Sequence, residues 1–562
     1  MVSIYEKLVR IYGEEQASKI LPELEALMGN FVDPQHPQTW VNETDVMLIT
    51  YGDQIFEEDK KPLVSLHEFA ETYLTDVFSA IHILPFYPYS SDDGFSVIDY
   101  WEVDAKLGTW DDVKAVAGNF EMMYDAVINH ISAQSRWFLE YKKGNPVFSD
   151  YFTEADPNLD YSKVTRPRAL PLLTPVDTKM GQRYVWTTFS SDQVDLNYKN
   201  PQVFLKIVEL LLFYVSQGAR YLRLDAIGYL WKRLGTSCIH LEETHLFIKI
   251  FRSILEEVAP GTILITETNV PHVDNVSYFG DGYDEAQMVY QFSLPPLTLF
   301  SFLTGDTSKL TEWAAQLEFP SDHTTFFNFL ASHDGIGVTP ARGILSEEEI
   351  DFMVETVKSH GGVVSYKDNG DGTQSAYELN ISFMDAICHP EESDQVRVSK
   401  FIAAQSILLS IRGVPGIYAH SILGSRNDYA GLESSGINRR INREKLERGK
   451  LESELQDPTS LRHQVFNAYK HLIQVRRENK AFHPNAPQDV LRLETGVFAL
   501  VRGTGADKIL CLVNTEGKSK ELRIDFPEIG FPGELRDLLA DEEINSTVLE
   551  LKPYQVAWIK SA

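Results

Sequence analysis

The sequence predicts a (β/α)8 barrel with two inserted domains and an all-β domain after the barrel. Short apolar runs alternate with helical patterns along most of the chain, which is typical of a parallel sheet. Three of these runs end in a carboxylate, and the carboxyl ends of barrel strands are where such folds carry their chemistry. The eight predicted strands cover residues 46–50, 81–84, 122–128, 220–224, 262–265, 288–292, 326–330 and 414–418.

The apolar runs are nearly continuous, as expected of strands that are buried on both faces. Helical patterns such as 203–215 and 244–258 lie between them. If the runs are barrel strands, their acidic ends all lie at one rim. The residues at that rim are the three strand-end carboxylates Asp225, Glu267 and Asp334, together with Asp53, which lies shortly after the first run.

The strands are unevenly spaced, and the long gaps predict the domain boundaries. From His130 to Arg220 the chain runs 90 residues without an obvious barrel strand, and a second gap precedes the last strand. Beyond residue 485 the pattern changes to short β runs. The predicted units are a helical extension (1–42), the barrel (43–130, 201–335 and 397–484), domain B (131–200), domain B′ (336–396) and a C-terminal β domain (485–562).

Composition excludes several classes of protein. With 562 residues and 43% hydrophobic content the chain can bury a large core, and a net charge of −30 argues against a nucleic-acid partner. Its three cysteines are widely spaced, which predicts neither a disulfide framework nor a zinc site. Because no apolar signal region or bilayer-length stretch is found, we expect a cytoplasmic protein with no membrane association. Oligomeric state cannot be predicted.

The acidic strand ends suit cleavage of a glycosidic bond with retention, which uses two carboxyl groups about 5–5.5 Å apart. Arg223 lies two residues before Asp225, so both side chains project to one side of the strand, where the cation would keep Asp225 ionised. Glu267 follows an apolar run that would raise its pKa, and His333 with Asp334 would grip sugar hydroxyls. The alternatives are that Asp225 caps a helix and that Glu267 lies on the surface.

Four segments, in order, resemble the conserved regions of the α-amylase superfamily of retaining α-glucosidases. They are residues 125–130, Arg223 with Asp225, Glu267, and His333 with Asp334. The resemblance implies that Asp225 is the nucleophile, Glu267 the acid/base and Asp334 the stabiliser of the transition state.

Further motifs resemble the sucrose phosphorylase subfamily, which transfers glucose reversibly between an acceptor and phosphate. These motifs are residues 92–95 with 98–100, 166–168, 193–197, 235–238, 333–337 and 440–443. The resemblance implies a glucose-binding set of Asp92, Phe95, His130, Arg223, His333 and Arg439. It implies a phosphate or acceptor set of Arg168, Tyr377, Asn269 and Arg342, and neither a metal nor an organic cofactor.

Three departures from the sucrose-acting members, together with the segments 164–175 and 329–334, look like the glucosylglycerate phosphorylase branch. One departure is a longer N-terminal extension. Asn269 replaces a His, and Arg342 brings a cation after a motif that an acidic residue usually follows. The branch implies the substrates 2-O-α-D-glucosyl-D-glycerate and phosphate, and the products α-D-glucose 1-phosphate and D-glycerate. An arginine is the natural partner of the glycerate carboxylate. The candidates are Arg166, Arg168, Arg342, Arg439 and Arg440.

Three alternatives stay open at this point. The same machinery would suit sucrose or sucrose 6′-phosphate phosphorolysis. A plain α-glucosidase would release free glucose equally fast without phosphate. A non-enzymatic barrel module is expected to lose carboxylates and to carry a membrane span, whereas this sequence keeps its acidic strand ends.

Overall fold

A computed structural model describes residues 3–369 and 372–561 and contains a closed, parallel, eight-stranded barrel. This confirms the predicted fold class, and the observed strands differ from the predicted ones mainly at their ends. The barrel strands are β1 (Met47–Thr50), β2 (Ala80–Ile83), β3 (Glu121–Ala126), β4 (Ala219–Leu224), β5 (Ile263–Thr266), β6 (Met288–Tyr290), β7 (Thr325–Asn328) and β8 (Val414–Tyr418).

Each barrel strand pairs with the next one along the chain, and β8 closes the barrel by pairing with β1. Every residue of β1, β2, β4 and β5 is buried, which explains why these segments are mostly apolar. The exceptions include the buried polar residues His82, Arg220 and Arg223. The helices that surround the barrel are Pro62–Tyr73, Trp110–Ala117, Pro201–Ser216, Glu242–Val258, His272–Asn275, Leu294–Thr304, Ser308–Ala314, Asp394–Ser410, Ala419–Ile422 and Leu461–Arg477.

Local sequence fixes where the helix before β4 begins. Asn200 is extended and its side chain accepts a hydrogen bond from the Gln202 amide at 3.0 Å. Pro201 occupies the first helical position, where no backbone donor is needed. The helix Pro201–Ser216 therefore starts sharply and returns the chain from the first insertion to the barrel.

The first insertion lies between β3 and β4. Its strand Gln193–Asp195 pairs antiparallel with His130–Ser132, so the insertion is attached directly beyond the end of β3. Its other regular elements are the helix Arg136–Lys142 and the hairpin Leu173–Thr178 with Gly181–Trp186.

The second insertion lies between β7 and β8, as the sequence predicts. Its elements are the strands Ile336–Gly337, Val363–Asp368 and Gln374–Asn380 and the helices Glu347–Ser359 and Phe383–Ile387. Two further helices, Tyr429–Ser435 and Arg448–Gln456, follow β8, and the strands Ile55–Phe56 and Leu446–Glu447 pair with each other. The predicted residue boundaries of the domains stay a prediction.

The two ends of the chain pack around the barrel. The N-terminal helices Ile4–Tyr12 and Glu14–Asn30 lie against the helices Pro201–Ser216 and Glu242–Val258. The C-terminal strands are Gln488–Leu491, Val497–Arg502, Ile509–Asn514, Lys520–Arg523, Leu535–Asp537, Glu542–Ile544, Val548–Leu551 and Val556–Ser561. Within the described ranges, no helix has the length and apolar character needed to cross a bilayer.

Candidate active site

The end of β4 places Arg223 and Asp225 inside the barrel. The Arg223 Nη1 atom donates to Asp225 Oδ1 at 2.8 Å and also contacts Asp125 of the neighbouring β3, which is in register with Arg223. Burial alone would raise the pKa of Asp125, but Arg223 and His82 outweigh it and lower this pKa to about 2. His82 supports Asp125 from β2, with its Nε2 atom 2.6 Å from Asp125 Oδ2.

Glu267 lies at the end of the next strand, β5, and faces the same guanidinium at a greater distance. Its Oε2 atom is 3.7 Å from Arg223 Nη2 and accepts the Ala226 amide at 3.0 Å. Burial, reinforced by the charges of Asp225 and Asp334, raises the pKa of Glu267 to about 8 despite Arg223. Burial also raises the pKa of Asp225, and the closer contact with Arg223 opposes this.

His333 and Asp334 follow β7 and close the opposite side of the site. The His333 ring stacks on Phe95 with centroids 4.6 Å apart and an interplanar angle of 7°. Asp334 Oδ1 is 2.6 Å from Arg439 Nη1, so the predicted stabiliser and the predicted glucose-binding arginine form an ion pair. Burial and the surrounding arginines hold the pKa of His333 well below its usual range, so this ring is neutral at pH 7.

Asp92 enters the site from the loop after β2 and is held by the first insertion. Its Oδ2 atom accepts from Arg168 at 3.0 Å and from Gln193 at 3.3 Å. Arg168, Arg439 and Arg443 outweigh the effect of burial and lower the pKa of Asp92. His130 lies next to Gln193 and its Nε2 atom is 2.9 Å from the Phe95 carbonyl oxygen.

One cavity of about 60 Å³ brings most of the predicted residues together. It opens towards a vestibule of about 580 Å³, and Asp92, Arg168, Tyr377 and Arg439 line both. Of the predicted residues, the cavity is lined by Asp92, Phe95, His130, Arg168, Asp225, Glu267, Asn269, His333, Asp334, Tyr377 and Arg439.

Two residues of the predicted glucose-binding and acceptor-binding sets do not line this cavity, and the further carboxylate candidates Arg166 and Arg440 do not line it either. Arg223 is 1% exposed and lies beneath Asp225 and Glu267, so it holds carboxylates and presents no face to the cavity. Arg342 contacts Glu347 and the Ala376 carbonyl oxygen. Its predicted acceptor-binding role stays a prediction that its position does not support.

Sequence reasoning missed two polar residues of the site. Glu378 is buried and accepts from Arg439 Nε at 3.0 Å and Nη2 at 2.7 Å, which fixes that guanidinium. Gln193 donates to Asp92 and to the Phe95 carbonyl at 3.0 Å. Gln193 begins the motif 193–197 and Glu378 follows the predicted residue Tyr377, but spacing alone gives no indication of partners more than 60 residues away.

Comparison with known proteins places this site in a family. Residues 72–340 match the family model for the catalytic domain of alpha-amylase. The chain is 48% identical to a glucosylglycerate phosphorylase of Allomeiothermus silvanus, over 99% of this chain and 98% of that protein. The chain belongs to the glucosylglycerate phosphorylase family.

A second member of the glucosylglycerate phosphorylase family, from Escherichia coli, is 47% identical over 99% of both chains. Among solved structures, the sucrose 6F-phosphate phosphorylase of Thermoanaerobacter thermosaccharolyticum superposes with a TM-score of 0.74 at 24% identity, covering 89% of this chain and 97% of that one. That likeness shows that this chain and the sucrose 6F-phosphate phosphorylase have the same fold.

Proposed function

We propose that the protein catalyses the reversible phosphorolysis of 2-O-α-D-glucosyl-D-glycerate, producing α-D-glucose 1-phosphate and D-glycerate with retention. The observation that carries the proposal is the near full-length similarity to glucosylglycerate phosphorylases, at 47–48% identity. It is supported by a cavity that holds three strand-end carboxylates beside Arg168. The substrates are small molecules, and the cytoplasmic location stays a prediction.

In the first half-reaction, Asp225 attacks the anomeric carbon and the glycosidic bond breaks. Glu267 gives its proton to the departing glycerate oxygen, and a β-glucosyl ester forms on Asp225. The surroundings of the two carboxyl groups suit these roles. Asp225 lies closer to Arg223 and is the better anion, whereas burial raises the pKa of Glu267, which therefore keeps its proton at neutral pH. Asp334 stabilises the positive charge that develops on the sugar ring.

In the second half-reaction, a phosphate oxygen attacks the anomeric carbon of the glucosyl ester from the face that glycerate has left, and the bond from this carbon to the Asp225 oxygen breaks. The second inversion restores the α configuration, and Asp225 leaves as a carboxylate. Because phosphate is already anionic at neutral pH, it needs little help from Glu267 as a base. The proton that phosphate carries passes to Glu267 after the transfer, which restores the acid for the next turnover. Orienting phosphate and excluding water are therefore the main demands on the site.

Arg168 is the cation that we assign to the anionic group of the acceptor. Arg439 already holds the carboxylates of Asp334 and Glu378, whereas Arg168 lies at the mouth of the cavity between Asp92 and the Phe189 ring. A charge-assisted contact of this kind contributes roughly 1.5–3 kcal/mol. The same position serves phosphate after glycerate leaves.

The reaction is tested with a panel of donors, namely glucosylglycerate, sucrose and sucrose 6′-phosphate, each with and without phosphate. Glucose 1-phosphate and free glucose are measured separately. We expect rapid glucose 1-phosphate release only from glucosylglycerate with phosphate. Equal glucose release without phosphate would identify an α-glucosidase, and sucrose as the better donor would identify a sucrose phosphorylase.

The acceptor assignment is tested in the synthetic direction with Arg168→Met and Arg342→Met side by side. With glucose 1-phosphate as donor, the wild-type enzyme should prefer D-glycerate over glycerol by roughly tenfold or more in kcat/KM. Arg168→Met should reduce this preference, and Arg342→Met should keep it. The opposite result would show that Arg342 binds the glycerate carboxylate, as the resemblance of the sequence implies.

A further inference from the structure

The loop that carries Asp92 has an unusual backbone. Asp92 and Asp93 both adopt left-handed conformations, with φ of 53° and 49°, and Gly94 follows at φ 112°. Such values are uncommon for residues other than glycine. A side chain at position 94 would bring its Cβ to 2.5 Å from the Pro85 carbonyl oxygen. The turn is therefore strained and persists only if its surroundings hold it in place.

The Asp93 side chain anchors this turn to the segment that follows β8. Its two carboxylate oxygens are divided between two arginines, with Oδ1 accepting from Arg440 and Oδ2 from Arg443. The Asp93 side chain is 11% exposed and that of Arg443 is 1% exposed. A largely covered carboxylate held by two guanidinium groups has little freedom to move.

These two arginines connect Asp93 to two other loops of the site. Arg440 is adjacent to Arg439 within the 3-10 turn Asn438–Asn442. Arg443 Nε donates to the His333 carbonyl oxygen at 2.7 Å. One carboxylate thus joins the loops that carry Asp92, Arg439 and His333.

We propose that Asp93 is a positioning residue of the glucose subsite, which fixes the spacing of Asp92, Arg439 and His333 without touching the sugar. Asp93 is not among the residues that line the cavity, whereas those three residues are. The proposal rests on the proposed glucose-binding roles of these three residues. It follows that loss of Asp93 weakens recognition of the glucosyl group much more than recognition of phosphate, which Asp93 reaches only through Asp92 and Arg168.

The test compares Asp93→Ala, Asp93→Gly and Asp93→Asn. Glycine removes the carboxylate but adopts the left-handed backbone freely, and asparagine keeps the shape and tolerates this backbone. We expect Ala and Gly to raise the KM for α-glucosyl fluoride and glucose 1-phosphate on the order of tenfold to a hundredfold. Asn should recover part of the loss, and the KM for phosphate should stay within about twofold in all three.

Asp541 provides a matched control in the C-terminal domain. It also has a left-handed backbone, with φ 60°, and its carboxylate also pairs with an arginine, Arg536, but its side chain is 80% exposed. Asp541→Ala and Asp541→Gly should leave every KM unchanged. Melting temperatures of all variants are measured alongside the kinetics.

Three results would overturn the proposal. Unchanged donor KM values in Asp93→Ala would show that the turn keeps its conformation without the Asp93 carboxylate. A glycine variant that behaves like the wild type would show that only the backbone matters. Donor and phosphate KM values that rise together, in proportion to a lower melting temperature, would show a general structural role.

Failure of the proposed function gives a different pattern. If the wild-type enzyme released no glucose 1-phosphate from glucosylglycerate, the function would be wrong. The role of Asp93 would then be judged from α-glucosyl fluoride hydrolysis and from the Kd of D-glucose measured by calorimetry. If the wild type and the three variants bound glucose with the same Kd, the positioning role of Asp93 would be wrong, whatever reaction the enzyme catalyses.

Discussion

Asp225 and Glu267 are both buried and share one cation, yet they suit opposite roles. The Arg223 guanidinium is 2.8 Å from Asp225 and 3.7 Å from Glu267, so it stabilises the anion of Asp225 more strongly. Burial, the dominant effect on Glu267, raises its pKa to about 8. A distance difference of 0.9 Å thus helps to separate a nucleophile from an acid.

This separation predicts the pH dependence of the reaction. Because Glu267 has a raised pKa, it carries its proton below about pH 8 and loses it above. For glucosylglycerate, kcat/KM should therefore fall as pH rises through about 8, since this parameter reports the free enzyme. For α-glucosyl fluoride, whose leaving group needs no proton, the fall should be much smaller.

Glu267→Gln gives the corresponding control. The variant should lose most activity on glucosylglycerate, keep part of its glucosylation rate with α-glucosyl fluoride, and lack the alkaline fall altogether. The measurements are pH–rate profiles with both donors. If kcat/KM of the wild type fell equally for both donors at alkaline pH, the assignment of Glu267 as the acid would be wrong.

At the scale of single residues, the sequence predicts the groups that belong to strands. Asp225, Glu267 and Asp334 follow apolar runs, so their location at one rim could be predicted from local pattern. Glu378 and Asp93 could not be predicted in this way. Their partners, Arg439 and Arg440, lie 61 and 347 residues away, and only the folded chain brings them together.

At the scale of elements, a buried lysine attaches the first insertion to the barrel. Lys232, which follows β4, has its Nζ atom 2.7 Å from Asp195 Oδ2 and 3.1 Å from Asn129 Oδ1. Asp195 also accepts from the Thr188 amide and hydroxyl at 2.8 and 2.6 Å. Since Asp195 pairs with His130 across the two short strands, this contact also supports the cavity wall.

Removing the lysine should destabilise the protein. Lys232→Met would leave Asp195 buried without a cation, and breaking a buried pair in this way costs about 3–5 kcal/mol. We expect the melting temperature to fall by several degrees, and to recover in part when Asp195→Asn is added. Both are measured by thermal unfolding.

Lys206→Met is the matched control, because Lys206 forms an exposed pair with Glu209 at 2.6 Å. Exposed pairs of this kind contribute little to stability, so this variant should melt close to the wild type. If Lys232→Met and Lys206→Met melted alike, the anchoring role of Lys232 would be wrong.

At the scale of the whole molecule, the order of the elements could be predicted, but the contacts that close the fold could not. Alternating strands and helices predict a barrel of eight strands, and the structure confirms it. Closure, however, requires β8 to meet β1, and the sequence gives no pairing signal between segments more than 360 residues apart. Buried polar side chains that join such segments leave no periodic pattern in the sequence, so their contacts could not be predicted.

Arg476 is one such side chain at the closure of the barrel. It is 1% exposed, lies in the helix Leu461–Arg477, and donates to backbone carbonyl oxygens from segments around the β8–β1 junction. These carbonyls belong to Glu43, Asp45, Leu409, Gly413 and Phe482, the last of which leads into the C-terminal domain. Burial lowers the pKa of Arg476 to about 10, so the group stays charged at neutral pH.

The geometry of this contact predicts that lysine cannot replace Arg476. A planar guanidinium presents five donors in fixed directions, whereas an ammonium presents three from one atom. Arg476→Lys should leave several carbonyls without a donor, each at a cost of roughly 1–3 kcal/mol. We therefore expect a melting temperature lowered by several degrees, with the barrel and the C-terminal domain unfolding together in a calorimetric scan. Arg477→Lys, at the next position and with a single contact to the Asp76 carbonyl at 2.6 Å, should change it little. A wild-type melting temperature for Arg476→Lys would show that the barrel closes without this arginine, and that strand pairing between β8 and β1 is sufficient.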